Sequence, residues 1–158
     1  MADNKIVVLI IDDNEVDRYT FSRYLRETSS EYEVHEAANG KSGLDLAASL
    51  RPDCVLLDLN LVEQSGFEVL NELAGHETYL KVPVIMLTGH RWDALKKGAL
   101  GLGAVDFLLK HETDATRLGE AVRRALTSVS SDKGAMAKMV VTSGEQSPYQ
   151  IRPDNHAN

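Results

Sequence analysis

The sequence predicts a doubly wound α/β domain, a parallel sheet of five strands with helices on both faces. Three observations predict it. Four apolar runs have the continuity of strands buried on both faces, which marks a parallel sheet. Strand-like and helix-like segments alternate five times between residues 5 and 129. Each apolar run also stops on a polar residue: Ile6 to Ile11 on Asp12-Asp13, Cys54 to Leu57 on Asp58, Val84 to Leu87 on Thr88, and Phe107 to Leu109 on Lys110. In an open parallel sheet all carboxyl ends share one edge, and ligands bind outside it.

The elements follow in order. The first strand is expected at 5–12 and the first helix from Asn14, a suitable N-cap, to Glu27. The second strand, 32–37, alternates polar and apolar residues through Tyr32-Glu33-Val34-His35-Glu36, which suits an edge strand with one wet face. A second helix runs from Asn39 to Leu50 and stops before Pro52. The third strand, 53–58, leads to a helix from Ser65 to Ala74 that ends near Gly75. The fourth strand, 82–88, precedes a helix expected from His90 to Leu100. That helix should be short, because Gly98, Gly101 and Gly103 each cost about 1 kcal/mol relative to Ala within a helix. Trp92 near its start reads as a partly exposed packing residue. The fifth strand is expected at 104–110 and the last helix from Thr113 to Val129. From residue 130 onward Ser, Gly, Pro, Asn and Gln become frequent, and the apolar residues reduce to a cluster at Met136, Met139, Val140 and Val141. Residues 1–129 are therefore expected to form the domain and residues 130–158 a flexible tail, with a docking peptide as the alternative.

Bulk composition narrows the function classes. At 158 residues, 43% hydrophobic and 26% charged, the chain suits one soluble domain. No apolar stretch nears the roughly 18 residues of a membrane span. The polar start runs straight into a strand, so no signal peptide is expected. The single Cys54 lies within a buried strand and points to a reducing cytoplasm. A net charge of −7 argues against nucleic acid and anionic lipid as partners. That excess falls within residues 1–129, because three basic and three acidic residues cancel from Ser130 onward.

Taken singly, the strand-end residues have ordinary explanations: acids suit the first turn of a helix, and lysines snorkel at surfaces. Together they suit phosphoryl transfer. Asp13 and Asp58 can hold Mg²⁺ through carboxylate oxygens, with Asp12 orienting a metal-bound water. Bringing a phosphoryl group onto a carboxylate needs positive charge at its equatorial oxygens. Mg²⁺ would supply it on one side, the Lys110 ammonium on the other, and Thr88 a hydroxyl donor.

These stretches resemble the receiver domain of two-component response regulators. The matching segments are Ile10 to Asn14, Val55 to Leu61, Gly66, Val84 to Gly89 and Gly103 to Lys110, across residues 5–128. The resemblance implies a flavodoxin-like (βα)5 fold with strand order 2-1-3-4-5. It implies Asp58 as the phosphoacceptor of a sensor histidine kinase or histidine phosphotransfer protein. Asp13, Asp58 and the backbone carbonyl of Asn60 would bind Mg²⁺, with Asp12 acting through water. Thr88 and Phe107 correspond to the family's switch pair, Gly89 to the small residue beside the phosphoryl group, and Asn60 and His90 to positions that tune hydrolysis.

Two residues depart from the pattern. His111 follows Lys110 where the family has a proline in a cis bond, so this loop is either trans and reshaped or strained. Val62 stands where the family tends to have proline. Both bear on loops that frame the site rather than on reacting groups. His111 reads as an exposed loop histidine. Arg91, Lys96, Lys97, Arg117, Arg123 and Arg124 put positive charge on the last two helices, a face the family often uses for dimerisation or output. The expected function is a stand-alone phosphorylation switch, not an enzyme acting on other substrates, that signals by protein contact without binding DNA. It is expected as a monomer or a phosphorylation-dependent homodimer through those helices. The competing readings are an unphosphorylated pseudo-receiver scaffold and an aspartyl-phosphate phosphatase. The phosphatase needs an acid where this chain has Asn60.

Overall fold

The computed structural model describes residues 4–142. Strand β1 (Ile6–Ile11) leads into helix α1 (Glu15–Thr28), whose Asn14 cap accepts a hydrogen bond from the Asp17 amide. Strand β2 (Tyr32–Ala37) is followed by α2 (Gly40–Leu50), capped in the same way by Asn39 through the Ser42 amide. Strand β3 (Cys54–Asp58) precedes α3 (Gly66–Gly75), and β4 (Val84–Thr88) precedes α4 (Asp93–Gly101). Strand β5 (Asp106–Leu109) passes through a 3-10 turn, Lys110–Glu112, into α5 (Ala115–Thr142). All strand pairs are parallel, in the order β2-β1-β3-β4-β5.

Strand alternation divides the core between two faces. Leu9, Ile11, Val55, Leu57, Val84 and Met86 pack with Ala47, Val69, Leu70, Leu73 and Ala99 of α2, α3 and α4. Val8, Ile10, Leu56, Ile85, Leu87 and Leu108 pack with Phe21 and Leu25 of α1 and Leu118, Ala121, Val122 and Ala125 of α5. Burial on both faces explains why β3 and β4 are apolar up to their last residue, and β2, at the sheet edge, is the strand that alternates.

Three expectations are corrected. Helix α5 runs to Thr142, past the expected end at Val129. Residues 130–141 contain no proline and are rich in Ala, Met and Lys, which favour helix over coil. The rest of the expected tail, residues 143–158, lies outside the described residues. Helix α4 begins at Asp93 rather than His90, and Trp92 stands at its N-cap with no side-chain cap bond. Strand β5 is shorter than expected, four residues, and Lys110 opens the following turn instead of ending the strand. The loop after Lys110 is the trans alternative, since no peptide bond among the described residues is cis.

Candidate functional site

Parallel strand order brings the ends of β1, β3, β4 and β5 to one edge, and the polar residues that follow them meet there. Asp12 and Thr88 are fully buried and Asp58 nearly so, whereas Asp13 is half-buried. Each of Asp12, Asp13 and Asp58 offers a carboxylate oxygen within 4.8 Å of the others. Buried acids persist only where donors satisfy them. Asp12 accepts from the Asn14 amide at 2.9 Å and from Lys110 Nζ at 2.7 Å. Asp58 accepts from the Asn60 amide at 3.3 Å and pairs with Lys110 Nζ at 3.3 Å. Thr88 Oγ1 accepts from the His90 amide at 3.2 Å.

Charge compensation is uneven. Lys110 lies closer to Asp12 than to Asp58 and also pairs with Asp17 Oδ2 at 2.8 Å. Burial, and then the neighbouring Asp12 charge, push the Asp58 carboxyl up to about 6, against the pull of Lys110 and the Asn60 amide. Burial works against the Lys110 ammonium. The hydrogen bonds to Asp12 and Asp17, with the Asp12 and Asp58 charges, more than reverse this and hold its pKa above the ordinary lysine value.

The backbone fixes these positions tightly. The Leu59 amide donates to the Leu87 carbonyl and the Gly66 amide to the Leu59 carbonyl. A Cβ at residue 66 would sit 2.3 Å from the Asp58 carbonyl oxygen, so only glycine lets the start of α3 approach Asp58 this closely. Arg18 Nη1 donates to the Asp12 carbonyl at 2.8 Å while its Nε faces Glu36 at 3.4 Å.

The structure brings together Asp12, Asp13, Asp58 and Lys110, and sets Thr88 at the end of the neighbouring strand. Asn60 and His90 share the lining of a cavity of about 300 Å³ with Phe67 and Trp92. The His90 and Trp92 rings stand 6.3 Å apart, and Trp92 is largely exposed, more so than expected. Phe107, on β5 opposite Met86, is half-buried. It lines a separate cavity of about 180 Å³ with Arg91, Trp92, Lys96 and Arg117. His111 and Val62 are both exposed. Sequence reasoning missed Asp17 and Arg18. Their signal is position: both lie one helical turn past Asp13, on a helix that starts at the strand end.

The acid cluster suits a hard divalent cation. Its donors are all carboxylate oxygens, and the one ammonium among them is shared by Asp12, Asp17 and Asp58.

Comparison with known proteins points the same way. The family model described as the response regulator receiver domain matches residues 8–123. Regulatory protein AtoC of Escherichia coli K12 is 35% identical over 126 residues, which are 80% of this chain and 26% of AtoC. Transcriptional regulatory protein YdfI of Bacillus subtilis is 39% identical over 111 residues, 69% of this chain and 50% of YdfI. The chain thus spans half or less of the length of these curated relatives. Among solved structures, chemotaxis protein CheY4 of Vibrio cholerae superposes with a TM-score of 0.70 at 29% identity, covering 77% of this chain and 99% of CheY4. The receiver domain of a putative NarL from Mycobacterium tuberculosis gives 0.72 at 30% identity, covering 78% and 98%.

Proposed function

The chain belongs to the response regulator receiver family of two-component systems, and on that premise we propose that it accepts a phosphoryl group on Asp58 and signals through protein contact. Phosphorylation and Mg²⁺ binding are typical of this family, whose receivers take phosphoryl groups from histidine kinases and act on downstream targets. The observation that carries the reading is the convergence of three carboxylates, one hydroxyl and one ammonium on a single sheet edge.

Asp58 is the nucleophile. Its carboxylate oxygen bonds to phosphorus as the bond from phosphorus to the donor breaks, and the donor leaves with its electron pair. With a pKa raised to about 6, Asp58 is mostly ionised at neutral pH and ready to attack. Mg²⁺, held by Asp13, Asp58 and the Asn60 carbonyl with Asp12 acting through water, would neutralise charge on the transferring group. Lys110 supplies the opposing positive charge and Thr88 a hydroxyl donor to a third oxygen. Thr88 Oγ1 accepts from the His90 amide, so movement of that hydroxyl toward the phosphoryl group, to which it donates its O–H, pulls on the segment that leads into α4 and couples Asp58 to it. Asn60 and His90, flanking the site within one cavity, set access of the hydrolytic water. Residues 1–129 form the receiver unit, and its output is a rearrangement of the α4–β5–α5 face around Phe107. We place the unit in the cytoplasm; among the described residues no helix is long and apolar enough to cross a membrane.

Intact mass after incubation with Mg²⁺ and acetyl phosphate tests the assignment. Wild type gains one phosphoryl group and Asp58→Ala gains none. A labelled Asp58→Ala protein defeats the phosphoacceptor assignment, and an unlabelled but folded wild type favours the pseudo-receiver scaffold.

A further inference from the structure

Lys110 is shared among three acids, and one of them belongs to no part of the machinery described above. Its Nζ lies 2.7 Å from Asp12 Oδ2, 2.8 Å from Asp17 Oδ2 and 3.3 Å from Asp58 Oδ1. An ammonium has three N–H donors, and the two short distances are those of charge-assisted bonds. Asp17 comes from the first turn of α1, 93 residues away from Lys110 in sequence. An acid in that turn is favoured by the helix dipole alone. Glu15, in the same turn, is exposed to solvent, whereas Asp17 turns inward to the ammonium. Asn14 and Arg18 set its position: Asn14 Oδ1 takes the Asp17 amide at 3.1 Å, and Arg18 binds the Asp12 carbonyl.

Resting on the reading of Asp58 as phosphoacceptor, we propose that Asp17 is a positioning residue that latches Lys110 in the unphosphorylated site and competes with the incoming phosphoryl group for it. The third donor of Lys110 faces Asp58 at 3.3 Å, and drawing the ammonium further toward a phosphoryl oxygen on Asp58 strains its two short bonds. Asp12 cannot yield its share cheaply, because its side chain is 1% exposed and would stay buried without that partner. Asp17 is 32% exposed and regains water on release. Phosphorylation therefore exchanges the Lys110–Asp17 bond for a bond from Lys110 to phosphoryl oxygen. The first turn of α1 loses one of its two ties to the site and keeps the one through Arg18. The latch slows phosphorylation and makes α1 report the state of Asp58.

Two readouts on the full chain test this. The first is the rate at which an acylating reagent labels Lys110, followed by peptide mass. The second is the single-turnover rate of phosphorylation by acetyl phosphate with Mg²⁺. Asp17→Asn speeds both, by about three- to ten-fold, the scale of a partly exposed ion pair. Asp17→Glu restores the slower rates, and Glu15→Gln, a charge loss in the same helical turn, changes neither. An unchanged labelling rate in a folded Asp17→Asn protein overturns the latch. So does an unchanged or slower phosphorylation where wild type is phosphorylated. Faster labelling of Asp17→Asn in a protein that never takes a phosphoryl group upholds the Lys110–Asp17 pairing but rejects the phosphoacceptor reading and, with it, the competition, so the two failures are distinct.

Discussion

Helix α3, beside the acids, buries Gly66, Val69, Leu70 and Leu73 within ten residues, whereas α4, beside Thr88, buries Ala99 alone within nine. Trp92, Leu100, Leu102 and Val105, in and around α4, are exposed. Helix α3 starts on a capping serine whose side chain takes the Phe67 amide, and α4 starts on a tryptophan with no such bond. The two walls of one site therefore differ in how firmly they are held. Acids crowded within 4.8 Å repel one another and stay in place only on a rigid frame. An element that reports on the site must move at low cost, and few buried contacts lower that cost.

The largest effect expected from this contrast is at Gly66. Alanine there pushes its Cβ to 2.3 Å from the Asp58 carbonyl oxygen and 2.7 Å from Leu59 Cα, both backbone atoms that cannot rotate away. Gly66→Ala should cost about 3 kcal/mol or more in urea unfolding. Gly89→Ala, on the other wall, meets nothing within 4 Å and should be near neutral. Equal costs at the two positions would break the comparison.

Next is Asp58 itself. Its pKa, raised to about 6 from an ordinary 3.8, means the native chain binds this proton more tightly than the unfolded chain does. Stability from this group therefore falls as pH rises from about 4 to 6, and the full cost is present above that window. Asp58→Asn removes the cost, so in metal-free buffer it should raise the stability by roughly 2 kcal/mol at pH 8. The gain should shrink steadily on acidification through pH 5. Thermal melts across that range check the sign, and a gain independent of pH would show that the ionised Asp58 carboxylate is not its source. A smaller effect is expected in hydrogen exchange, where amides of α4 should open at least about ten-fold faster than those of α3, roughly 1.4 kcal/mol in opening energy.

The rigid wall was also the legible one. Buried parallel strands have to be apolar along their whole length, so β1, β3 and β4 announce both themselves and the polar residue at each end. Asn14 and Asn39 are visible as caps because capping needs a side-chain acceptor at one position. Helix α4 was misplaced at its start because no side-chain cap marks it, and Trp92 carries no start signal. Helix α5 ran past its expected end because a polar composition does not exclude helix where Ala, Met and Lys dominate locally. Asp17 was missed for a different reason: its partner is 93 residues away, and only the assembled sheet reveals that α1 and the β5 end face each other.

The smallest expected effect sharpens the comparison from the loose side. Gly98 lies inside α4, where glycine leaves the unfolded chain more freedom to lose than alanine does. A Cβ at this position would meet Phe67 Cε1 at 3.6 Å and Cζ at 3.7 Å, which is ordinary contact. Gly98→Ala should therefore stabilise the protein by about 0.5 to 1 kcal/mol, through helix propensity and an added apolar contact with Phe67. The same change ties the mobile wall to the rigid one, so it should also slow amide exchange within α4 while leaving α3 unchanged. Urea unfolding with site-resolved exchange reads both quantities. A gain in stability spread evenly over α3 and α4 would mean that the two walls already open together, and that α4 is not the independent element its sparse burial indicates.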